Sequence, residues 1–253
     1  MKGMISVISI GPGSNDWIPP AVLHSLEQAD ILVGYRTYLD LIKDFRPDIP
    51  REYSGMRQET ERVEQAIRLA LSGRHVAVIS GGDAGIYGMA GLVIEKVSRS
   101  GHDAEIEVTV LPGISALNAA ASLLGAPLMN DFAVISLSDY LTPLDTILDR
   151  VSAAAQAGFV LCLYNPRSSV RSVPYERTLE ILNQFLPPDT PVGIVKDAFR
   201  PAQAVSCVRL AELPDQEIRM NCILIVGNAE TRILNGRMVT PRGYTEGKAG
   251  SWG

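Results

Sequence analysis

The sequence predicts an α/β protein with mainly parallel strands, and three observations support this prediction. Short runs of β-branched residues alternate with amphipathic stretches, which is typical of strands joined by crossover helices. Several predicted strands end in glycine-rich turns, as at Gly11-Pro12-Gly13. The 253 residues are enough for two domains of about 100–150 residues each. We therefore expect two α/β domains.

In the first half of the chain, strands and helices alternate. The predicted strands cover residues 4–10, 31–34, 75–79 and 106–111, and the predicted helices cover 20–29, 59–71 and 86–98. The helix at 59–71 has the strongest signal, because apolar residues recur every three or four positions and Gly73 follows its end. This alternation predicts a parallel first sheet.

The second half begins in the same way but ends differently. Its predicted strands cover residues 132–137, 159–163, 191–196, 204–208 and 222–226, and its predicted helices cover 143–157 and 173–186. The last three strands have no long helix between them, which indicates antiparallel pairing and a mixed sheet. We expect an N-terminal α/β domain at 1–117, a C-terminal α/β domain at 118–243 and a flexible tail at 244–253.

Composition excludes several classes of protein. A hydrophobic fraction of 46% excludes a disordered chain, and a net charge of −5 argues against a nucleic-acid-binding surface. Residues 108–130 carry no charge, but Pro112-Gly113 interrupts them, so we expect no membrane span. The apolar N-terminal stretch resembles a first strand more than a signal peptide. These features predict a cytoplasmic protein.

The cysteine and histidine pattern predicts no metal site. The three cysteines form no CxxC pair, and the three histidines lie apart in the sequence. We therefore interpret Cys162, Cys207 and Cys222 as buried thiols in a reducing compartment.

Three turns directly follow predicted strands, and they suggest a binding site. They begin at Gly11, Ser80 and Pro112. In parallel α/β sheets, ligands bind outside the carboxyl ends of the strands, where glycine lets the backbone approach the ligand. Asp83 in the second turn has two interpretations, as the N-cap of a helix near Ile86 or as an acceptor facing a ligand. From the residues alone, both stay open.

Nucleotide and hydrolase motifs are incomplete in this chain. The first turn lacks the third glycine of GxGxxG, because Asp16 stands in its place, and Pro12 has no N–H to donate. The sequence contains neither GK[ST] nor GxSxG. No activated nucleophile is visible, so no residue is assigned a catalytic role.

Longer segments resemble the tetrapyrrole methylases, the class III S-adenosylmethionine-dependent methyltransferases. The opening VISIGPGSNDWIPPAVLHSLEQADILVGY and the segment VAVISGGDAGIYGMAGLV are typical of the whole family. The segments LYNPRSSVR and VGIVKDAFRPAQAV are similar to the branch that methylates C17 of precorrin-3B. Ala84 departs from the pattern, since many members have proline there. The resemblance extends from about residue 4 to residue 244.

The resemblance implies a two-domain α/β fold, a homodimer, and S-adenosylmethionine bound in a cleft between the domains and released as S-adenosylhomocysteine. The positions that match the family's cofactor contacts are Pro12, Gly81, Gly82, Asp83, Ile86, Tyr87, Ser115, Ala116, Tyr164, Asn165, Ala198, Val226, Gly227 and Asn228. The positions expected to face the substrate are Gly13, Ser14, Arg167, Arg171 and Arg200. The three arginines suit the carboxylates of a tetrapyrrole, because a guanidinium binds a carboxylate in a bidentate manner; solvated surface arginines are the alternative.

The implied reaction is methyl transfer to C17 of precorrin-3B with contraction of the ring to precorrin-4, in cobalamin biosynthesis. Two alternatives within methyl transfer are a different carbon of the tetrapyrrole and a cobalt-containing substrate. From another class, a nucleotide-binding module that uses the glycine turns for a pyrophosphate is the alternative. No nucleic-acid or membrane partner is expected.

Overall fold

The structure is a computed structural model that describes residues 2–168 and 170–243. The chain divides into two compact units, Met1–Ala116 and Leu117–Gly253. Each unit contains one five-stranded sheet.

The first unit is an α/β layer structure with an all-parallel sheet in the order β3-β2-β4-β1-β5. Its elements are β1 (Gly3–Ser9), α1 (Pro20–Gln28), β2 (Ile31–Tyr35), α2 (Arg36–Leu41), β3 (Arg51–Ser54), α3 (Glu59–Leu71), β4 (His75–Ser80), α4 (Ala90–Arg99) and β5 (Ile106–Leu111). Helix α5 (Ala116–Leu124) begins at the last residue of this unit. The parallel first sheet predicted from the alternation of elements is confirmed.

The central strands β1, β2 and β4 of the first sheet are buried on both faces. Along β1, Ile5 and Val7 pack into the core that α3 and α4 cover, whereas Ile8 packs into the opposite core beneath α1 and α2. Because side chains of a strand alternate between faces, a strand covered on both sides contains an almost continuous apolar run. This is why β1 and β4 are visible in the sequence.

The second unit contains a mixed sheet in the order β10-β9-β11-β8-β7. After α5 its elements are β6 (Gly125–Ala126), β7 (Phe132–Ser136), α6 (Leu144–Gln156), β8 (Val160–Tyr164), α7 (Val173–Phe185), β9 (Pro191–Lys196), β10 (Ala204–Arg209), β11 (Cys222–Val226), β12 (Arg232–Leu234) and β13 (Arg237–Val239). Strands β7 and β8 are parallel, whereas β9 pairs antiparallel with β10 and β11. The predicted antiparallel pairing is therefore confirmed. A small third sheet has the order β12-β13-β6.

Two kinds of expectation fail. The short elements α2, β3, β6, β12 and β13 are absent from the sequence-based assignment, because they are too short to show a clear apolar period. Helix α4 begins at Ala90 and not near Ile86, because Tyr87 has a left-handed backbone, with φ of 53°, which a helix cannot include.

The cysteines fit their predicted environment only in part. Cys162 and Cys222 are buried, and burial raises the pKa of Cys162 to about 12. Cys207 is exposed, so its predicted burial is wrong; it lies on β10 at the edge of the sheet. No set of three metal-binding side chains occurs among residues 2–168 and 170–243, and no helix there is long and apolar enough to span a bilayer.

The predicted tail at 244–253 lies outside the described residues.

Candidate functional site

The three glycine-rich turns meet at the carboxyl edge of the first sheet. Strand β1 lies between β4 and β5, and all three run in the same direction, so their carboxyl ends are neighbours. The Gly11 N–H donates to the Gly82 carbonyl at 3.1 Å, and the Gly82 N–H donates to the Gly11 carbonyl at 2.7 Å. This reciprocal pair joins the first two turns, as expected from their positions after the strands.

Asp83 joins the second turn to the third. Its Oδ1 accepts the Gly85 N–H at 2.8 Å, and its Oδ2 accepts the Gly113 N–H at 2.9 Å. Asp83 is therefore not the N-cap of α4, since that helix begins seven residues later. A carboxylate has about four acceptor positions, and these two bonds use two of them. The half-buried side chain keeps acceptor capacity for a ligand.

The turns are packed so closely that positions 81 and 113 have room for glycine only. A Cβ on Gly113 would lie 2.5 Å from the Ser9 Cβ and 2.6 Å from the Gly82 carbonyl oxygen. A Cβ on Gly81 would lie 2.5 Å from the Tyr38 ring. A larger residue at 113 would push Ser9 and Gly82 away, and a larger residue at 81 would displace the Tyr38 ring, because real Cβ contacts are longer than these distances.

The other predicted residues of the first unit lie around these turns. Ser115 is buried, and a Cβ on Gly82 would lie 3.8 Å from its Cα and 3.6 Å from the Ala116 nitrogen. Ile86 and Tyr87 expose 37% and 55% of their surface, respectively, in the loop that follows Asp83. The structure thus places apolar surface beside a polar turn.

Residues of the first turn also contact the short helix that follows the turn. Pro12 is buried, and Gly13 has a φ of 151°. The Ser14 hydroxyl accepts the Asp16 N–H at 3.3 Å and so caps the short 3₁₀ helix Asn15–Trp17. The predicted substrate contacts Gly13 and Ser14 therefore lie beside the Gly11–Gly82 pair.

In the second unit, Tyr164 and Asn165 lie at the carboxyl end of β8. The Tyr164 hydroxyl accepts the Leu117 N–H at 2.8 Å in the first turn of α5. Asn165 has a left-handed backbone, with φ of 51°, and its amide nitrogen donates to the Ser136 hydroxyl at 3.0 Å. This turn is anchored both to α5 and to the end of β7.

Arg171 makes several contacts within the second unit. Its guanidinium donates to the carbonyls of Leu137 and Asn165, the latter at 2.9 Å, and its Nε lies 3.7 Å from Asp139. Only 16% of its side chain is exposed. Through these contacts Arg171 holds two loops together, and its role in substrate binding stays a prediction.

Arg167 and Arg200 differ from Arg171 in their environments. The side chain of Arg167 is 41% exposed, with Glu176 at 3.9 Å and the centre of the Tyr175 ring at 6.0 Å. An exposed ion pair of this length contributes little to stability. Arg200 is half-buried in the turn after β9, where its N–H donates to the Asp197 carbonyl at 3.0 Å.

Ala198 lies between two residues with strained backbones. Asp197 and Phe199 have φ values of 47° and 57°, and a bulky residue such as Phe rarely adopts this conformation. The Asn221 amide donates to Asp197 at 2.6 Å, and the Gln203 side chain accepts the Phe199 N–H at 2.8 Å. Sequence reasoning assigned no role to these two supporting residues, although Gln203 lies within the segment VGIVKDAFRPAQAV.

Val226, Gly227 and Asn228 lie away from the other predicted residues of this unit. Strand β11 runs antiparallel to β8 and β9. Val226, at the carboxyl end of β11, therefore pairs with Leu161 near the amino end of β8, whereas Tyr164 lies at the carboxyl end of β8. The side-chain nitrogen of Asn228 donates to the Gly158 carbonyl at 2.9 Å. Because β11 runs in the opposite direction to β8 and β9, these residues lie at the other end of the strands from the YNP and DAFRP turns.

The comparisons with known proteins agree with this fold. Residues 4–214 match the family model described as Tetrapyrrole (Corrin/Porphyrin) Methylases. The probable cobalt-factor III C(17)-methyltransferase of Salmonella typhimurium is 48% identical over 242 residues, which cover 96% of this chain and 100% of that protein. The cobalt-factor III methyltransferase of Priestia megaterium is 44% identical, and the match covers 96% of this chain but 46% of that longer protein.

The solved structures show the same likeness. The crystal structure of the methyltransferase CobJ has a TM-score of 0.88 and 36% identity, with 94% of this chain and 100% of that chain covered. The family model matches most of the chain, and one relative has a nearly half-identical sequence. Together these two matches identify the family of this chain. The chain belongs to the tetrapyrrole (corrin/porphyrin) methylase family and is an S-adenosylmethionine-dependent methyltransferase.

Proposed function

We propose that this protein transfers a methyl group from S-adenosylmethionine to C17 of cobalt-factor III, with contraction of the tetrapyrrole ring, in cobalamin biosynthesis. The observation that carries the proposal is the full-length, 48% identical relative named as a probable cobalt-factor III C(17)-methyltransferase. Relatives with the same name from two methanogens are 45% and 40% identical.

The choice of a cobalt-containing acceptor changes the expectation drawn from the sequence. The sequence segments suggested precorrin-3B, which carries no metal, and left the cobalt form as an alternative. The names of the relatives favour the cobalt form. In this proposal the cobalt is part of the substrate, so the protein needs no metal ligands of its own.

The residues at the carboxyl edge of the first sheet fit a cofactor with both apolar and polar parts. Ile86 and Tyr87 offer exposed apolar surface to an adenine ring. The free acceptor positions of Asp83 suit hydroxyl or ammonium donors, and the backbone at Gly82 lets a ligand approach without a side chain in the way. We propose that these residues hold S-adenosylmethionine.

S-adenosylmethionine supplies a methyl group that is already activated by its positively charged sulfur. The chain therefore needs no covalent nucleophile, and its residues have to hold the acceptor carbon in line with the methyl group. Orientation of two bound reactants contributes up to about 7–11 kcal/mol in favourable cases. We propose that Arg167, whose guanidinium is exposed and weakly paired, binds a carboxylate at the rim of the tetrapyrrole.

A nucleotide-binding module fits the chain less well. The first turn has Pro12 and Asp16 where a dinucleotide-binding turn needs a donor and a glycine, and the family match covers the same residues. The homodimer implied by the resemblance and the cytoplasmic location expected from the sequence features remain predictions.

The test is a labelling experiment with two acceptors. The protein is incubated with methyl-labelled S-adenosylmethionine and either cobalt-factor III or precorrin-3B, and the product is analysed by NMR and mass spectrometry. We expect one label at C17 of a ring-contracted product, with a higher kcat/KM for cobalt-factor III. A label at another carbon would contradict the C17 assignment, and a preference for precorrin-3B would contradict the cobalt form.

Two glycine variants test the proposed cofactor site. Gly82→Val introduces a branched side chain where φ is +64°, and we expect it to abolish S-adenosylhomocysteine binding in calorimetry. Gly91→Ala is the matched control, because that glycine is exposed on α4 with no atom near its Cβ position. Equal affinity of both folded variants for S-adenosylhomocysteine would show that the cofactor does not bind at the carboxyl ends of these strands.

A further inference from the structure

Arg62 is a buried cation whose hydrogen-bond partners, in the part of the chain that the structure describes, are uncharged. It lies on α3 and is 4% exposed. Its Nε donates to the Ser54 hydroxyl at 2.6 Å, its Nη2 to the Gly55 carbonyl at 3.1 Å, and its Nη1 to the Met89 sulfur at 3.3 Å. Within residues 2–168 and 170–243, no carboxylate oxygen lies within 4.0 Å of its side-chain nitrogens.

Stability of the fold does not explain this arrangement. A buried charge is costly unless it is paired, and a thioether is a weak acceptor for a guanidinium. Burial lowers the pKa of Arg62, and the negative charge of Glu59 opposes this effect. Replacement of buried charges by apolar residues of similar volume is often neutral or stabilising. The role of Arg62 therefore depends on the two segments that its guanidinium connects.

The guanidinium connects the end of β3 to the segment 81–89, which contains the proposed cofactor contacts. Met89 is the last residue of this segment and directly precedes α4. The Ala90 N–H donates to the Ala84 carbonyl at 3.0 Å, and a Cβ on Gly88 would lie 2.6 Å from the same carbonyl oxygen. The segment thus closes on itself just before α4, and Met89 is the residue of the segment that Arg62 contacts.

Two tyrosines extend this cluster to the other end of the segment. Tyr35 and Tyr38 pack edge to face with ring centres 5.5 Å apart. The Tyr38 ring occupies the space beside Gly81. Tyr38 therefore borders segment 81–89 at its first residue, and Arg62 contacts its last residue, Met89.

We propose that Arg62 is a positioning residue for the cofactor: it holds segment 81–89 so that Asp83, Ile86 and Tyr87 keep the arrangement that binds S-adenosylmethionine. Arg62 acts through Met89 and the Gly55 loop and does not touch the reacting atoms. The inference rests on the proposed cofactor site at this edge.

The test compares three variants by steady-state kinetics and thermal unfolding. Arg62→Met removes the three directed bonds, and we expect KM for S-adenosylmethionine to rise about tenfold, with kcat and KM for the tetrapyrrole unchanged. Arg62→Lys keeps the charge but cannot reach three acceptors at once, so we expect it to rescue part of the affinity and a rise of about threefold.

Arg51→Met is the matched control. Arg51 lies at the start of β3, and its guanidinium donates to backbone carbonyls that include Phe45 at 2.7 Å and Arg46 at 3.2 Å. We expect this variant to unfold at a lower temperature without a change in KM for S-adenosylmethionine. An unchanged KM in Arg62→Met, or an equal rise in Arg51→Met, would overturn the proposal.

The Gly82→Val variant separates this inference from the proposed function. If Gly82→Val binds S-adenosylhomocysteine normally, the cofactor site is wrong and the role of Arg62 is overturned with it. If Gly82→Val loses binding while Arg62→Met keeps wild-type KM, only the role of Arg62 is overturned. Loss of binding in Gly82→Val together with a raised KM in Arg62→Met supports both.

Discussion

The carboxyl edges of the two sheets make their turns in different ways. At the first edge, Gly11, Gly82 and Tyr87 adopt left-handed conformations, and backbone hydrogen bonds between Gly11 and Gly82 join adjacent turns. In the second unit, Asn165, Asp197 and Phe199 adopt such conformations, and side chains hold them: Arg171 and Gln203 act within their own loops, and Asn221 comes from a more distant segment. Backbone hydrogen bonds between distant segments thus join the turns of the first edge, whereas side chains hold the turns of the second.

This difference determines where each edge is sensitive to substitution. Close backbone packing leaves no space for a new atom, so the first edge should respond most strongly to added volume. Turns held by a long side chain should respond most strongly to truncation of that side chain. Both expectations can be measured on the folded protein.

The largest effect should come from added volume at the first edge. We expect Gly113→Val to lower the free energy of unfolding by about 3 kcal/mol, because its Cβ would meet both Ser9 and Gly82 within 2.6 Å. Gly91→Ala on the exposed face of α4 should raise it by about 0.5–1 kcal/mol. Urea unfolding of both variants checks the difference, and equal stabilities would contradict close packing as the cause.

Truncation at the second edge should have a smaller but clear effect. We expect Arg171→Ala to lower the free energy of unfolding by about 2 kcal/mol, because it leaves the carbonyls of Leu137 and Asn165 without this donor. Arg167→Ala should change it by less than about 0.5 kcal/mol and weaken tetrapyrrole binding instead.

Chemical denaturation and a fluorescence binding titration distinguish the two arginines. A destabilised Arg167→Ala, or an Arg171→Ala variant of wild-type stability, would reverse the roles that we assign to them.

The smallest effect concerns the left-handed residue in the second unit. We expect Asn165→Gly to be more stable than Asn165→Ala by about 1 kcal/mol, because alanine is strained at a φ of 51° and both variants lose the bond to Ser136. Thermal unfolding of the two variants measures this difference. If the two were equally stable, the backbone at this turn would have to relax without cost, and the contrast between the edges would weaken.

The sequence predicted most of the fold because its signals are local. The bounds of α3, β5, β9 and β11 agree with the prediction to the residue, since each has a clear apolar pattern and a turn residue at its end. The start of α4 was predicted four residues early, because the left-handed backbone of Tyr87 leaves no mark in a hydrophobic pattern.

The candidate site was predictable in the first unit but less so in the second. Parallel strands bring the turns after β1, β4 and β5 together, so their sequence positions alone indicate a common edge. The turn after β11 looks similar in sequence but lies at the opposite edge, since β11 runs antiparallel to its neighbours. Strand direction depends on pairing between distant segments, which one sequence does not display.

By itself, the sequence determined the alternation of strands and helices, the glycine turns and the resemblance to a methylase family, because apolar periodicity and turn residues act over a few positions. Only the tertiary structure decided which polar groups meet. The two N–H groups on Asp83, the carbonyls on Arg171 and the neutral partners of Arg62 come from segments up to 34 residues apart. A side chain finds such partners only when the sheet has brought their strands together, and that is a property of the folded chain.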